Sequence, residues 1–186
     1  MAEPAVHALR REDPGVEVVW RAFELRPEPV PTLDPGGEYL QRAWRESVYP
    51  LAQRVGVTMR LPPVQPRSRR AHEAAQWARA QGHFDEYNAA VFGAFFERGL
   101  DIGAVDVLLG LAHELGWDGD ALRSVLDRQE YEGRVVADER EAERLGIRGV
   151  PAFVADRRAL LSGVQPVENL RELIAWAREH GQREER

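Results

Sequence analysis

The chain contains no cysteine, which excludes disulfides, thiolate metal sites and thiol nucleophiles from the sequence as it stands. Lysine is also absent, all 25 basic residues being arginine. Schiff-base chemistry and a phosphate-loop lysine are therefore excluded as well. Isoleucine occurs only at positions 102, 147 and 174 and asparagine only at 88 and 169. Together with the missing lysine, this reflects GC-rich coding DNA. There is no excess of positive charge: 25 basic against 31 acidic side chains leave a net charge of -6. A general nucleic-acid or anionic-membrane binder needs the opposite balance. No apolar run approaches a membrane span, and no apolar segment of a signal peptide stands at the N-terminus. The expectation is a cytoplasmic protein of one domain, or one domain carrying an insertion, since 186 residues with 44% apolar and 30% charged side chains suit that class.

What is present reads as mixed α/β. A helix is expected from Ala2 to about Asp13, stopped by Pro14-Gly15. The stretch Val16–Leu25 alternates as a strand, with Val16, Val18, Trp20 and Ala22 on one face and Val19, Phe23 and Leu25 on the other. Apolar residues on both faces predict a strand covered on both sides. Prolines at 27, 29, 31 and 35 then impose an irregular loop. From Gly37 the periodicity is helical. One helix is expected over Glu38–Val55, another from an Ser68 N-cap to about Gln81, and others around Phe84–Phe95, Val105–Leu115 and Leu122–Leu126, the last capped by Asp118. Tyr131–Leu145 fits a longer helix stopped at Gly146. Pro151–Ala155 and Arg158–Ser162 read as a hairpin turning at Asp156-Arg157, and Pro166 opens a final helix. The tail 182–186 is charged.

The most specific local signal is Gly146-Ile147-Arg148-Gly149-Val150-Pro151-Ala152-Phe153-Val154. A proline entering a strand cannot donate to the ladder. It fits either a plain turn or a cis bond that offers the Val150 N–H and C=O to an extended peptide. This segment, the hairpin and Leu161-Ser162-Gly163-Val164-Gln165-Pro166 before a last helix resemble the C-terminal half of DsbA-family thioredoxin-like proteins. Trp20–Pro27, Ser68-Arg69-Arg70-Ala71-His72 and Phe95-Phe96 before Asp101-Ile102 extend the likeness along nearly the whole chain. It is most similar to the cytoplasmic FrnE-like branch, with kappa-class glutathione transferases and hydroxychromene-carboxylate isomerases as cousins.

The resemblance implies a thioredoxin-like fold of the DsbA type from residues 1–36 and 129–181, with a large α-helical insertion over 37–128. It implies protein thiol–disulfide oxidoreductase or isomerase activity, a substrate peptide held by Gly149, Val150 and Pro151, and a supporting contribution from Ser162 and Gln165. No metal or resident cofactor is implied, although glutathione is a ligand of the cousins. The sequence departs from the family at its start. The first strand of the usual sheet and the Cys-X-X-Cys motif have no counterpart, and no Ser or Thr near Met1 replaces the nucleophile. No catalytic residue is therefore assigned, and the chain as written is expected to be redox-inactive. The alternatives are a non-catalytic peptide- or glutathione-binding module and a glutathione-dependent isomerase or transferase relative. Three outcomes remain open for the missing strand: a start lying upstream, a sheet that closes up, or a second copy that fills the gap as a homodimer.

The remaining candidates have plain readings. His72-Glu73 and His113-Glu114 begin like zinc-protease helices, but Gln76 and Trp117 stand where a second histidine is required. Arg67, Arg69 and Arg70, and likewise Arg157 and Arg158, read as surface charge. Phe84, Phe92, Phe95 and Phe96 read as insertion core, and Glu139, Glu141 and Glu143 as a solvated helix face.

Overall fold

A computed structural model describes residues 1–181; the charged tail expected at 182–186 lies outside the described residues. The chain forms two compact units. The first combines Met1–Leu25 with the chain from Arg140 onward, and the second is Arg26–Glu139.

In the first unit, helix α1 (Glu3–Glu12) buries Val6 and Leu9 against Leu170 of the C-terminal helix α9 (Val167–Gly181). Val16, Val18, Trp20 and Phe153 complete that cluster. Two ion pairs tie the same helices: Arg178 donates to Asp13 at 2.7 Å, and Arg171 to Glu12. Strands β1 (Ala152–Ala155) and β2 (Ala159–Ser162) pair antiparallel, with Phe153 opposite Leu161 and Val154 opposite Leu160. Period-2 alternation sends Phe153, Ala155, Ala159 and Leu161 onto Leu173, Ile174 and Ala177 of α9. The turn residues Asp156 and Arg157 both have positive φ, 48° and 59°, the conformation that a tight hairpin turn of matching twist requires.

The expected strand Val16–Leu25 is not a strand: among the described residues the sheet has two strands, β1 and β2. The segment keeps β-like alternation, with Val16, Val18 and Trp20 packed in and Val19 exposed by 47%. Apolar alternation determines which side chains are buried. A strand also needs a neighbour to exchange hydrogen bonds with. The expectation of cover on both faces is corrected for the same reason, since Leu25 is 67% exposed.

The regular elements of the second unit are all helices. Helices α4 (Arg69–Ala80), α5 (Phe84–Phe96), α6 (Val105–Glu114) and α7 (Gly119–Asp127) enclose Tyr87, Leu108, Leu111 and Leu122. The small face Ala71, Ala74 and Ala78 lets α4 approach closely. Asp118 caps α7, accepting from the Asp120 and Ala121 N–H groups at 3.0 Å. Ser68 does not cap α4 with its hydroxyl, because its backbone is helical (φ -91°, ψ -2°) rather than extended. The single helix expected over Glu38–Val55 is broken into α2 (Glu38–Ala43), a π-helical turn (Trp44–Val48) and α3 (Tyr49–Arg54). Pro50 explains the break, since its ring displaces the carbonyl four residues back and it donates no N–H. Helix α8 (Glu132–Arg144) crosses from the second unit into the first.

Candidate functional site

The candidate site begins where α8 stops. Gly146 has φ +71°; its N–H reaches Glu143 O at 3.0 Å, and the Ile147 N–H reaches Ala142 O at 2.9 Å. This paired closure is the glycine-terminated end that satisfies the last carbonyls of a helix. It releases Arg148, Gly149 and Val150 as a loop leading into β1. The Val150–Pro151 peptide is cis. Pro151 O accepts the Gly163 N–H at 2.8 Å, which fixes the loop to the far end of β2.

Val150 is 51% exposed. Among the described residues no main-chain hydrogen bond engages its N–H or C=O. The register continues this edge. The 151–163 bond and the strict alternation of an antiparallel ladder make 153–161 the next hydrogen-bonded pair. The N–H and C=O groups of Ala152 and Val154 therefore point away from β2. Val150, Ala152 and Val154 form a row of main-chain donors and acceptors suited to an added strand.

The five residues expected at the site are not equivalent. Gly149, Val150 and Pro151 share one loop. Ser162 faces Ala152 across the hairpin and is exposed. Gln165 is occupied at both ends of its amide: Nε2 donates to Ser162 O at 2.7 Å, and Oε1 accepts from Asn169 Nδ2 at 2.7 Å. It thereby braces the β2–α9 turn that carries Gly163. Arg148 was not singled out from the sequence, yet it is exposed two residues before Val150. Its signal was present in the Gly146–Val154 segment as the one charge beside the loop.

The arrangement offers main-chain donors and acceptors and no reactive side chain. The chain has no thiol, and among the described residues no group of three or more His, Asp or Glu side chains is placed to hold a metal ion. The two histidine motifs do not converge: the His113 ring lies against Gly119, and residue 117 is Trp, stacked on His83 at 5.0 Å. The arginine cluster of the second unit holds structure together. Arg67 Nη1 donates to Arg26 O at 2.5 Å and Val30 O at 2.6 Å, and Arg69 pairs with Glu132 and Glu139 at 3.3 Å. In the first unit Arg157 pairs with Glu141 at 2.7 Å. The reading of Glu139 and Glu141 as a solvated face is therefore corrected: both are drawn into ion pairs, and the adjacent Asp138 is buried against Gln76. No helix of the described residues is long and apolar enough to cross a membrane.

Comparison with known proteins bears on the family and the fold. YwbO of Bacillus subtilis (strain 168), an uncharacterized protein, is 38% identical over 151 residues, 79% of this chain and 74% of its own. The crystal structure of SCO1869 from Streptomyces coelicolor, described as a probable DsbA oxidoreductase, superposes with a TM-score of 0.73 at 26% identity. That match covers 95% of this chain and 82% of the other. A 2-hydroxychromene-2-carboxylate isomerase shares the fold, with a TM-score of 0.67 at 20% identity over 98% of this chain and 90% of the other. The profile of the DSBA-like thioredoxin domain matches residues 1–175. The chain belongs to the DSBA-like thioredoxin domain family.

Proposed function

We propose that this chain is a binding member of its family, holding an extended peptide along the edge that runs from Val150 to Val154, with no thiol of its own. The observation that carries the proposal is the pair of unengaged main-chain groups at Val150 beside an exposed side chain. A peptide laid beside them gains two hydrogen bonds at Val150 and further bonds at Ala152 and Val154. Main-chain pairing of this kind supplies affinity with little dependence on sequence. Gly149 keeps the approach clear, since a Cβ there meets nothing within 4 Å. Gln165 acts as a positioning residue for the Pro151–Gly163 bond, and the Arg148 guanidinium favours a carboxylate on the ligand.

Thiol–disulfide exchange needs a thiolate that this chain does not contain, so the proposal assigns binding and no turnover. In this reading 1–36 and 129–181 form the thioredoxin-like part, 37–128 is the helical insertion, the protein is of the FrnE-like type, and it works in the cytoplasm. Glutathione, a small peptide with the same main-chain groups, is the alternative ligand. Thermal-shift stabilisation at millimolar glutathione would favour it over longer peptides.

The test is a binding isotherm with an unfolded, cysteine-alkylated protein chain as ligand. Saturable binding is expected, with at least about a tenfold loss for Val150→Asp, the magnitude expected when an interface contact worth about 1.4 kcal/mol is removed. Val150 is exposed, so the variant should melt at the wild-type temperature. Binding indifferent to Val150→Asp would overturn the assignment.

A further inference from the structure

The opposite edge of the hairpin carries a second apolar surface, independent of the Val150 loop. A shallow groove of about 460 Å³ runs between β2 and α9, lined in part by Arg158, Leu160, Leu161, Glu172, Leu173 and Trp176. Asn169, Glu172, Leu173 and Trp176 are spaced i, i+3, i+4 and i+7, one face of α9. Leu160 is 40% and Trp176 41% exposed. The Trp176 ring is stacked on His180 at 4.2 Å and 16°, which holds it in one orientation. Rigid, half-exposed tryptophan beside leucine is the side-chain class that anchors interfaces.

By the same register argument the Leu160 N–H and C=O point away from β1, while the Ser162 carbonyl is closed off by Gln165. The main-chain edge is therefore short, and most of the energy of any association here must come from the apolar side chains.

The polarity of the groove identifies its occupant. Helix α9 runs antiparallel to β2. Ser162, Gln165 and Asn169 are linked at one end, and Arg158 donates to His180 O at the other. Positive charge thus lies at the Arg158 end, and Glu172 lies toward the Asn169 end. A two-fold axis through Leu160 places the Arg158 end of one copy against the Glu172 end of the other, twice over. A surface whose two ends carry opposite charge about an apolar centre is complementary to itself. We propose that this chain forms an isologous dimer through the β2 edge and the Leu173–Trp176 face of α9. Leu160 pairs with Leu160 of the second copy, and each Arg158 faces the second copy's Glu172.

Sedimentation velocity across a concentration series tests the arrangement, with thermal melts confirming that each variant is folded. Wild type is expected to pass from one chain to two. Arg158→Glu and Glu172→Arg each create like charges at both contacts, so each should dissociate at concentrations at least about tenfold higher. Mixing the two variants restores opposite charges at both contacts, so a heterodimer is expected at wild-type concentrations. Glu172 is exposed, with no hydrogen bond or ion pair among the described residues, so its reversal tests the interface even if Arg158→Glu unfolds. A wild-type chain that stays single at every concentration would overturn the proposal. So would a dimer indifferent to Glu172→Arg, or two folded, dissociated variants whose mixture stays apart.

Discussion

Replacing Tyr87 by Phe should make the protein less stable at neutral pH and more stable in strong alkali. Tyr87 is completely buried in the second unit, stacked at 5.7 Å on Trp117, and its hydroxyl donates to Leu108 O at 3.3 Å. That carbonyl lies inside α6, where the helix supplies its own N–H. Phe therefore loses one hydrogen bond and opens no cavity of consequence, a cost of about 1 kcal/mol. Burial also holds the phenol well above its ordinary value. The folded protein keeps the Tyr87 proton while the unfolded chain releases it near pH 10, so unfolding gains free energy as pH rises past that point. The stability Tyr87 provides is complete below about pH 10 and falls toward a slope of about 1.4 kcal/mol per pH unit above it. The lost hydrogen bond and the alkaline penalty become equal between about pH 10.5 and 11, where the two stability curves should cross. The composition makes this limb clean, because without lysine or cysteine the tyrosines are the only side chains titrating there. Urea unfolding of both proteins from about pH 7 to 11 reads the difference directly. A difference that stays constant across that range would refute a buried, protonated phenol.

Two glycines in the second unit should respond to alanine in opposite directions. A Cβ at Gly103 would stand 2.9 Å from Arg67 O and 3.2 Å from Pro66 Cβ, so Gly103→Ala should cost about 1–3 kcal/mol. Gly110, inside α6 with nothing within 4 Å, should gain about 0.5–1 kcal/mol as alanine. Thermal melts of the two variants check both signs. In the first unit, the hydrogen bond from Arg178 holds the Asp13 carboxyl below its ordinary value. Its contribution is present above the unfolded aspartate pKa and is lost as pH falls through the folded one. Asp13→Asn should therefore lower the melting temperature at neutral pH and converge with wild type in acid, a convergence that a pH series of melts would show.

Much of the fold was legible because it depends on local pattern. The helical stripes, the Asp118 cap, the Gly146 stop and the hairpin all follow from side-chain spacing and turn chemistry. The failures have a common origin in partners that a local pattern does not specify. Val16–Leu25 alternates like a strand, yet pairing depends on a neighbour elsewhere in the chain. Glu139 and Glu141 looked solvated because the sequence gives no sign that Arg69 and Arg157 reach them. At the candidate site, Val150 and Pro151 stood out through the proline, whereas the bracing role of Gln165 depends on Asn169 one helical turn away. The Leu160–Trp176 groove joins residues from a strand and a helix whose adjacency only folding reveals.

Peptide binding at this edge depends on the main-chain groups at Val150, and the amide proton of that residue reports on them. Nitrogen–proton correlation spectra of the labelled chain, titrated with an unfolded, cysteine-alkylated protein, observe it directly. The prediction is that the Val150 and Ala152 amides shift together and saturably, with slowed solvent exchange, while the amides of the second unit's core stay in place. Shifts confined to other surfaces, with Val150 unmoved at saturation, would contradict it.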